Sequence, residues 1–277
     1  MSSNMVHEAW LPPGAGGASR PAGDNHAGLV LNKTSHTHDV SSFIPFSREL
    51  VTERRLKRMR RSCYIAGNLH QSVVQRSGKR DRAWFVTLTY RGVDDWSPKH
   101  ISACMNAARE WCRRQGAILR FLWVAELQKR GALHYHIVIW LPRSLSLPKF
   151  DKRGWWPHGF TNVQLVKSSA VAYVMKYVSK STPLHRFPKG ARIYAFGGLE
   201  QVLRRVTGWI NLPEWIKLTH GVGEVVRKAF GFVVRATGEI MSSPYEVKRS
   251  PSGLELRLLS PLPERFHSGP YSSFSPS

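Results

Sequence analysis

Acidic residues are scarce in this 277-residue chain: 18 Asp and Glu stand against 41 Lys and Arg, giving a formal charge of +23 and a pI of about 10.6. An imbalance of that size favours a polyanionic partner, nucleic acid before a membrane surface. Cysteine is scarcer still. Cys63, Cys104 and Cys112 are odd in number and contain no C-x-x-C pair, which argues against a disulfide framework and against a zinc knuckle. Reduced thiols in a cytoplasm fit this usage best. No stretch approaches the ~18 apolar residues of a membrane span. The N-terminus lacks the charged-then-apolar layout of a secretory signal. There is no G-x-x-x-x-G-K-[ST] phosphate loop, so an energy-driven motor is not expected, and no internal repeat. What is present is 42% hydrophobic residues, enough for the core of one large domain or two small ones.

The apolar pattern is uneven along the chain. Residues 1–45, with "LPPGAGGASRPAGDNHAG", read as a disordered leader. From Ser47, a candidate N-cap, "SRELVTERRLKRMRRSCYIAGNLHQSVVQ" has a helical pattern. Its basic middle includes Arg54, Arg55, Arg58 and Arg61, which either line a DNA groove or form a solvated face. "RAWFVTLTYRG" (Arg82 to Gly92) is strand-like. "SPKHISACMNAAREWCRRQG" is a helix with Ser97 as N-cap, Pro98 in the first turn and Gly116 just past its end. Two strands follow, "ILRFLWVAELQ" and "LHYHIVIWL", joined by "KRGA"; then a loop, a short strand "FTNVQLV", and a helix capped by Ser168 or Ser169. "EVVRKAFGFVVRATGEI" adds a helix and a strand, and from Ser242 the Ser/Pro-rich chain reads as a loose tail. The domain organisation expected is therefore a leader to 45, a working domain over 46–240 and a tail over 241–277. The fold class is α+β: an antiparallel sheet with helices packed on its faces.

The residue pattern with most chemical content is "HYH". Residues i and i+2 of a strand share a face, so His134 and His136 can grip one metal ion. A lone H-x-H is weak: "SHTHD" puts His36 and His38 at the same spacing in the leader, with no strand to fix them. The hairpin adds a carboxylate. With a three-residue loop, Arg130-Gly131-Ala132, Gln128 faces His134 and Glu126 faces His136 on the same side of the sheet. A two-residue loop turns Glu126 away, and Glu126 then serves as a partner of Lys129 or Arg130 instead. Two imidazoles, one carboxylate and open water positions suit a divalent ion such as Mg²⁺ or Mn²⁺. Thr87 and Thr89 alternate along the strand beside this hairpin and either orient a metal ligand from behind or merely favour strand geometry.

"AVAYVMKYVSKS" (Ala170 to Ser181) poses a separate question. At 3.6 residues per turn, Tyr173, Lys176, Tyr177 and Lys180 form one stripe, opposite Val171, Val174, Met175 and Val178. One face goes to a core; the other presents phenols beside ammonium groups. Packed alone, that is an amphipathic helix with tyrosines at its rim. Beside a metal and a phosphodiester it is a nucleophile set, because neighbouring cations favour phenolate and neutralise charge developing on phosphorus.

"FVTLTY", "ELQKRGALHYHIVIW", "WWPHGF" and "YVMKYVSK", in that order over Trp84 to Lys180, resemble the HUH endonucleases that initiate rolling-circle replication. The likeness is greatest to the replication-associated proteins of filamentous phages, and the double tyrosine is similar to the A protein of isometric phages. The resemblance implies a central five-stranded antiparallel sheet carrying the HUH strand. It implies His134 and His136 as metal ligands with Glu126 as the third, Tyr173 and Tyr177 as nucleophiles, and Lys176 and Lys180 as their associated lysines. It further implies that one DNA strand is nicked at an origin, that a 5′-phosphotyrosine link forms, and that a 3′ hydroxyl is left for a host polymerase in a bacterial cytoplasm. With no phosphate loop, unwinding falls to a host helicase. Competing readings are a single-strand transposase or relaxase of the same chemistry, and a non-catalytic DNA-binding protein such as a repressor.

Overall fold

The computed structural model describes residues 41–45, 48–77, 81–181, 187–251 and 253–259. The elements run β1 (Ser41–Pro45), α1 (Arg48–Arg76), β2 (Arg82–Tyr90), α2 (His100–Arg114), β3 (Arg120–Leu127), β4 (Leu133–Leu141), β5 (Gly159–Leu165), α3 (Ala170–Lys180), β6 (Tyr194–Gly197), α4 (Gln201–Ile210), α5 (Glu214–Lys217), β7 (Val225–Lys228), β8 (Gly231–Val234), β9 (Ile240–Met241), β10 (Tyr245–Ser250) and β11 (Gly253–Leu258). The fold is α+β. Its centre is a five-stranded antiparallel sheet in the order β5-β2-β4-β3-β6, with the H-Y-H strand β4 in the middle.

Alternation along these strands sorts the two faces. Phe85, Thr87 and Thr89 on β2 share a face with His134, His136, Val138 and Trp140 on β4, as the register Thr87↔His136 and Thr89↔His134 requires. Helices α1 and α3 cover that face, and the His70 ring of α1 stacks on Trp140 at 4.8 Å. Tyr90 and Tyr135 point the other way. They meet α2 and the loop before β5: Tyr90 packs on Trp156 at 4.9 Å and its hydroxyl lies 3.3 Å from His100 Nδ1, while Trp96 donates to the Tyr135 hydroxyl at 2.9 Å. Strands β2 and β4 are thus buried on both faces, which explains the near-continuous apolar run "IVIWL" in a sheet that is antiparallel.

Several elements differ from expectation. Ser97 does not cap α2: it and Pro98 form a turn before the helix, Lys99 occupies the cap position without a side-chain bond, and Ser97 Oγ accepts only a long 3.5 Å contact from the Lys99 N–H. Gly116 does sit just past the end, with φ of +64°. The segment expected to give a helix and a strand forms the antiparallel pair β7–β8 plus the short β9, because Val225, Val226, Phe232, Val233 and Val234 favour strand over helix. The tail expected from Ser242 begins instead with the β10–β11 hairpin, and β1, inside the expected leader, pairs with β11. Alternation in "YEVKRS" and "LELRLL" carries that hairpin. The rest of the leader (1–40, with His36 and His38), Ser47 and residues 260–277 lie outside the described residues.

Helix α1 approaches α3 closely at Gly67. A Cβ built there would lie 3.1 and 3.2 Å from the two methyls of Val171. Gly67→Val is expected to push α3 off the sheet and to destabilise the protein by about 1–3 kcal/mol, as overpacking does; urea denaturation measures it. Two side chains tie the same region: Arg60 donates to the Ser181 carbonyl at 2.9 Å, and Arg55 to the Ala191 carbonyl.

His70 gives the core an acid limit. Burial, aided by the nearby Arg120 charge, lowers its pKa from 6.5 to about 3. Below pH 6.5 the unfolded chain takes up a proton that the folded chain refuses until about pH 3. Stability therefore falls through that window by about 1.4 kcal/mol per pH unit from this residue. His70→Phe, which keeps a ring against Trp140, is expected to reduce the slope of stability against pH by one proton's worth between about pH 6 and 4.

Candidate metal and tyrosine site

The site forms where the middle of the sheet meets α3. The β3–β4 connection is longer than the three residues expected. Glu126 stands opposite His134 and Val124 opposite His136, so Gln128 is outside the ladder, and its N–H donates to the Ala132 carbonyl at 2.9 Å. Gly131, with φ of +91°, makes the turn. The shift is two residues, and a period of two leaves Glu126 on the same face as both histidines. Gln128 does not reach the site; its Oε1 accepts from Arg130 Nε at 2.9 Å. Arg130 in turn donates to the Tyr90 and Arg91 carbonyls at 2.7 and 3.1 Å, so it clamps the hairpin to β2 and leaves Glu126 alone.

Glu126, His134 and His136 form a group able to hold a metal ion, with one ligand atom of each within 4.8 Å of the others. His136 Nε2 lies 2.5 Å from Glu126 Oε2, and the Thr87 hydroxyl lies 3.4 Å from its Nδ1. Thr89 pairs with His134 across the ladder. Burial would raise the Glu126 pKa, but hydrogen bonds from His136 and Lys180 outweigh it and hold the carboxyl below its ordinary value. Burial lowers His136, against the pull of Glu126. Burial, with His136 next to it, lowers His134 to about 4. Neutral imidazoles and an ionised carboxylate are the protonation state that a divalent cation needs. His134 Nε2 is buried without a hydrogen-bond partner, which is costly for a polar atom unless something else satisfies it. The donor set and this orphaned nitrogen fit a metal.

Helix α3 brings the phenols to that group. Ser169 caps it, accepting from the Ala172 N–H at 3.2 Å, which contributes about 1 kcal/mol. Val171, Val174 and Val178 are buried, and Tyr173 and Tyr177 are half-buried at the rim. The Tyr177 ring stacks on His136 with centroids 3.6 Å apart. Tyr173 lies 5.9 Å from Tyr177, packs edge-on to Phe85 at 4.4 Å, and its hydroxyl accepts from Gln164 Nε2 of β5 at 3.5 Å. Lys180 Nζ bonds Glu126 Oε1 at 3.0 Å and sits 4.8 Å from the Tyr177 ring centroid. Lys176 is exposed. The lysines do not make phenolate here: burial, the Tyr173 hydroxyl and the Glu126 charge push the Tyr177 hydroxyl up to about 12. The Lys180–Glu126 bridge is invisible in the sequence, since only the packing of α3 against β3 reveals it. Phe85, which touches both tyrosines and His136, has a signal in the sequence: it stands two residues before Thr87 on the same strand face.

The basic helix is divided. Arg55 and Arg61 donate to the carbonyls of Ala191 and Ile210, so both have structural bonds, while Arg54 and Arg58 are exposed. Cys63, Cys104 and Cys112 are free and buried. Among the described residues no helix is long and apolar enough to cross a membrane.

No curated protein and no solved structure matches the chain. Residues 83–182, which span β2 to the end of α3 and hold Glu126, both histidines and both tyrosines, match the model of a family of replication-associated proteins, the ORF2 family.

Proposed function

We propose that the protein is a metal-dependent, site-specific DNA nickase and strand transferase that starts rolling-circle replication of a phage or plasmid. The observation that carries this reading is the stacking of Tyr177 on His136, which puts a hydroxyl nucleophile beside a group able to hold a metal ion. The match over residues 83–182 supports a role in replication and contact with DNA. Glu126, His134 and His136 would hold a divalent ion such as Mg²⁺ or Mn²⁺, which when bound polarises the scissile phosphate and offsets its charge.

The chain's own residues do the rest. Thr87 fixes the His136 ring through Nδ1, as supporting hydroxyls do for ligand histidines. A tyrosine oxygen of α3 attacks phosphorus, the P–O3′ bond breaks, and the phenol proton is lost while the 3′ oxygen gains one. The products are a 5′-phosphotyrosine and a free 3′ hydroxyl. Lys180, beside the Tyr177 ring, stabilises the charge on the phosphoryl oxygens. The ester conserves the energy of the broken bond, so rejoining needs no nucleotide. A host polymerase extends the 3′ end, and a host helicase unwinds the duplex.

The test is incubation with single-stranded DNA carrying the region that encodes the protein, with Mn²⁺ or Mg²⁺ and with chelator. A nick at one position, with a protein–DNA adduct that survives denaturing electrophoresis and maps to α3, is expected. DNA binding without any adduct would establish the non-catalytic reading instead.

A further inference from the structure

A second basic feature lies outside the matched residues. Helix α4 and the β7–β8 pair enclose a recess of about 390 Å³, lined by Arg204, Arg205, Arg227 and Arg235 with Trp209 and Gly208 among the rest. All four arginines are exposed, and none makes an ion pair among the described residues. No carboxylate lines the recess. Four like charges around one concavity repel one another and are stabilised by a bound polyanion.

Gly208 is the second observation. It sits inside α4, where glycine costs about 1 kcal/mol relative to alanine. No packing accounts for it: a Cβ there would meet nothing within 4 Å. The helix backbone is bare on the side that lines the recess, as a close approach by a ligand requires. The recess offers no open ring for an unstacked base. Trp209 is partly buried, gives its indole N–H to the His220 carbonyl at 3.0 Å, and has Lys217 Nζ 5.8 Å from its ring.

We propose that this recess is a separate binding site for the phosphate backbone of duplex DNA. The guanidinium groups bind phosphate oxygens, and Gly208 lets the backbone come close to α4. The inference rests on the reading of the protein as one that handles DNA, and it places the grip on duplex apart from the site that cuts a single strand.

The test uses the full chain, two labelled DNAs of arbitrary sequence (a duplex of about 25 base pairs, long enough to span several phosphate contacts, and its single strand) and separate nicking of a short single-stranded substrate. The variants are Arg204→Ser/Arg227→Ser/Arg235→Ser, Gly208→Glu and Gly208→Ala. The triple variant and Gly208→Glu are expected to weaken duplex binding at least tenfold. The triple variant should also lower the slope of log affinity against log salt by about 0.9 for each phosphate it no longer neutralises. Single-strand binding and single-strand nicking should change less than threefold. Gly208→Ala, which adds one methyl in open space, should raise thermal stability and so show that position 208 tolerates a side chain. Unchanged duplex affinity in the triple variant, or equal losses on both DNAs, would overturn the proposal. Absence of nicking by the wild type would count against the function proposed above and leave the duplex measurement interpretable.

Discussion

His134→Ala and His136→Ala are each expected to remove nicking while leaving affinity for non-origin DNA within about two- to threefold, because phosphate contacts elsewhere dominate that affinity. The physical reason is local. His134 Nε2 has no partner in the protein, and His136 Nε2 faces Glu126 at 2.5 Å, so both nitrogens belong to one small polar cluster. Removing either imidazole leaves two donors, too few to bind a divalent ion against water. Excess chelator should reproduce the loss in the wild type. Thr87→Val, which removes only the hydroxyl behind His136, should cost about 10–100-fold, the range for groups that orient a ligand. A readout independent of activity is thermal stability. Mn²⁺ at about a hundred times its dissociation constant should stabilise the wild type by about 2.7 kcal/mol and the alanine variants hardly at all. Full nicking by the wild type in chelator would end the metal assignment.

How far the sequence anticipates this structure depends on the range of the interaction concerned. Period-two alternation in "FVTLTY" and "HYHIVIW" places Thr87, Thr89, His134 and His136 on one face, and the register agrees. The hairpin register differs by two residues from the one a three-residue loop gives, because loop length is not written in the alternation. Glu126 keeps its face all the same, since only an odd shift turns a strand over. The helical stripe of α3 is likewise legible. Its consequences are not: Lys180 pairs with Glu126, 54 positions away, and so is spoken for before it can act on a phenol. Arg55 and Arg61 read as surface cations, but they reach carbonyls 136 and 149 residues further on. The same limit hides β6, four residues long and meaningful only as the edge partner of β3. It also hides the arginines of α4 and β7–β8, which are scattered in sequence and converge only in the fold.

Tyr173→Phe and Tyr177→Phe are each expected to retain some first-strand nicking, and the double variant none. The two residues are one helical turn apart, with ring centroids 5.9 Å from each other, so both hydroxyls can be presented to one phosphate held at Glu126, His134 and His136. Rolling-circle replication needs two transfers. The first tyrosine opens the origin and keeps the 5′ end as an ester. When the origin is regenerated, the second tyrosine can cut it while that ester persists, and the freed 3′ hydroxyl attacks the first ester to close the displaced circle. Each single variant should therefore start a round and fail to release closed circles. The positions are not equivalent. Tyr177 stacks directly on His136, whereas Tyr173 packs on Phe85 and contacts β5 through Gln164, so Tyr173→Phe should keep the larger share of initial nicking. Phenylalanine preserves both ring contacts, which separates the loss of a hydroxyl from a loss of packing. Adduct mapping on each variant, with a circle-release assay alongside, reads both transfers. If Tyr177→Phe forms no adduct while Tyr173→Phe completes full rounds, a single nucleophile acts, and Tyr173 serves only to hold the helix or the DNA.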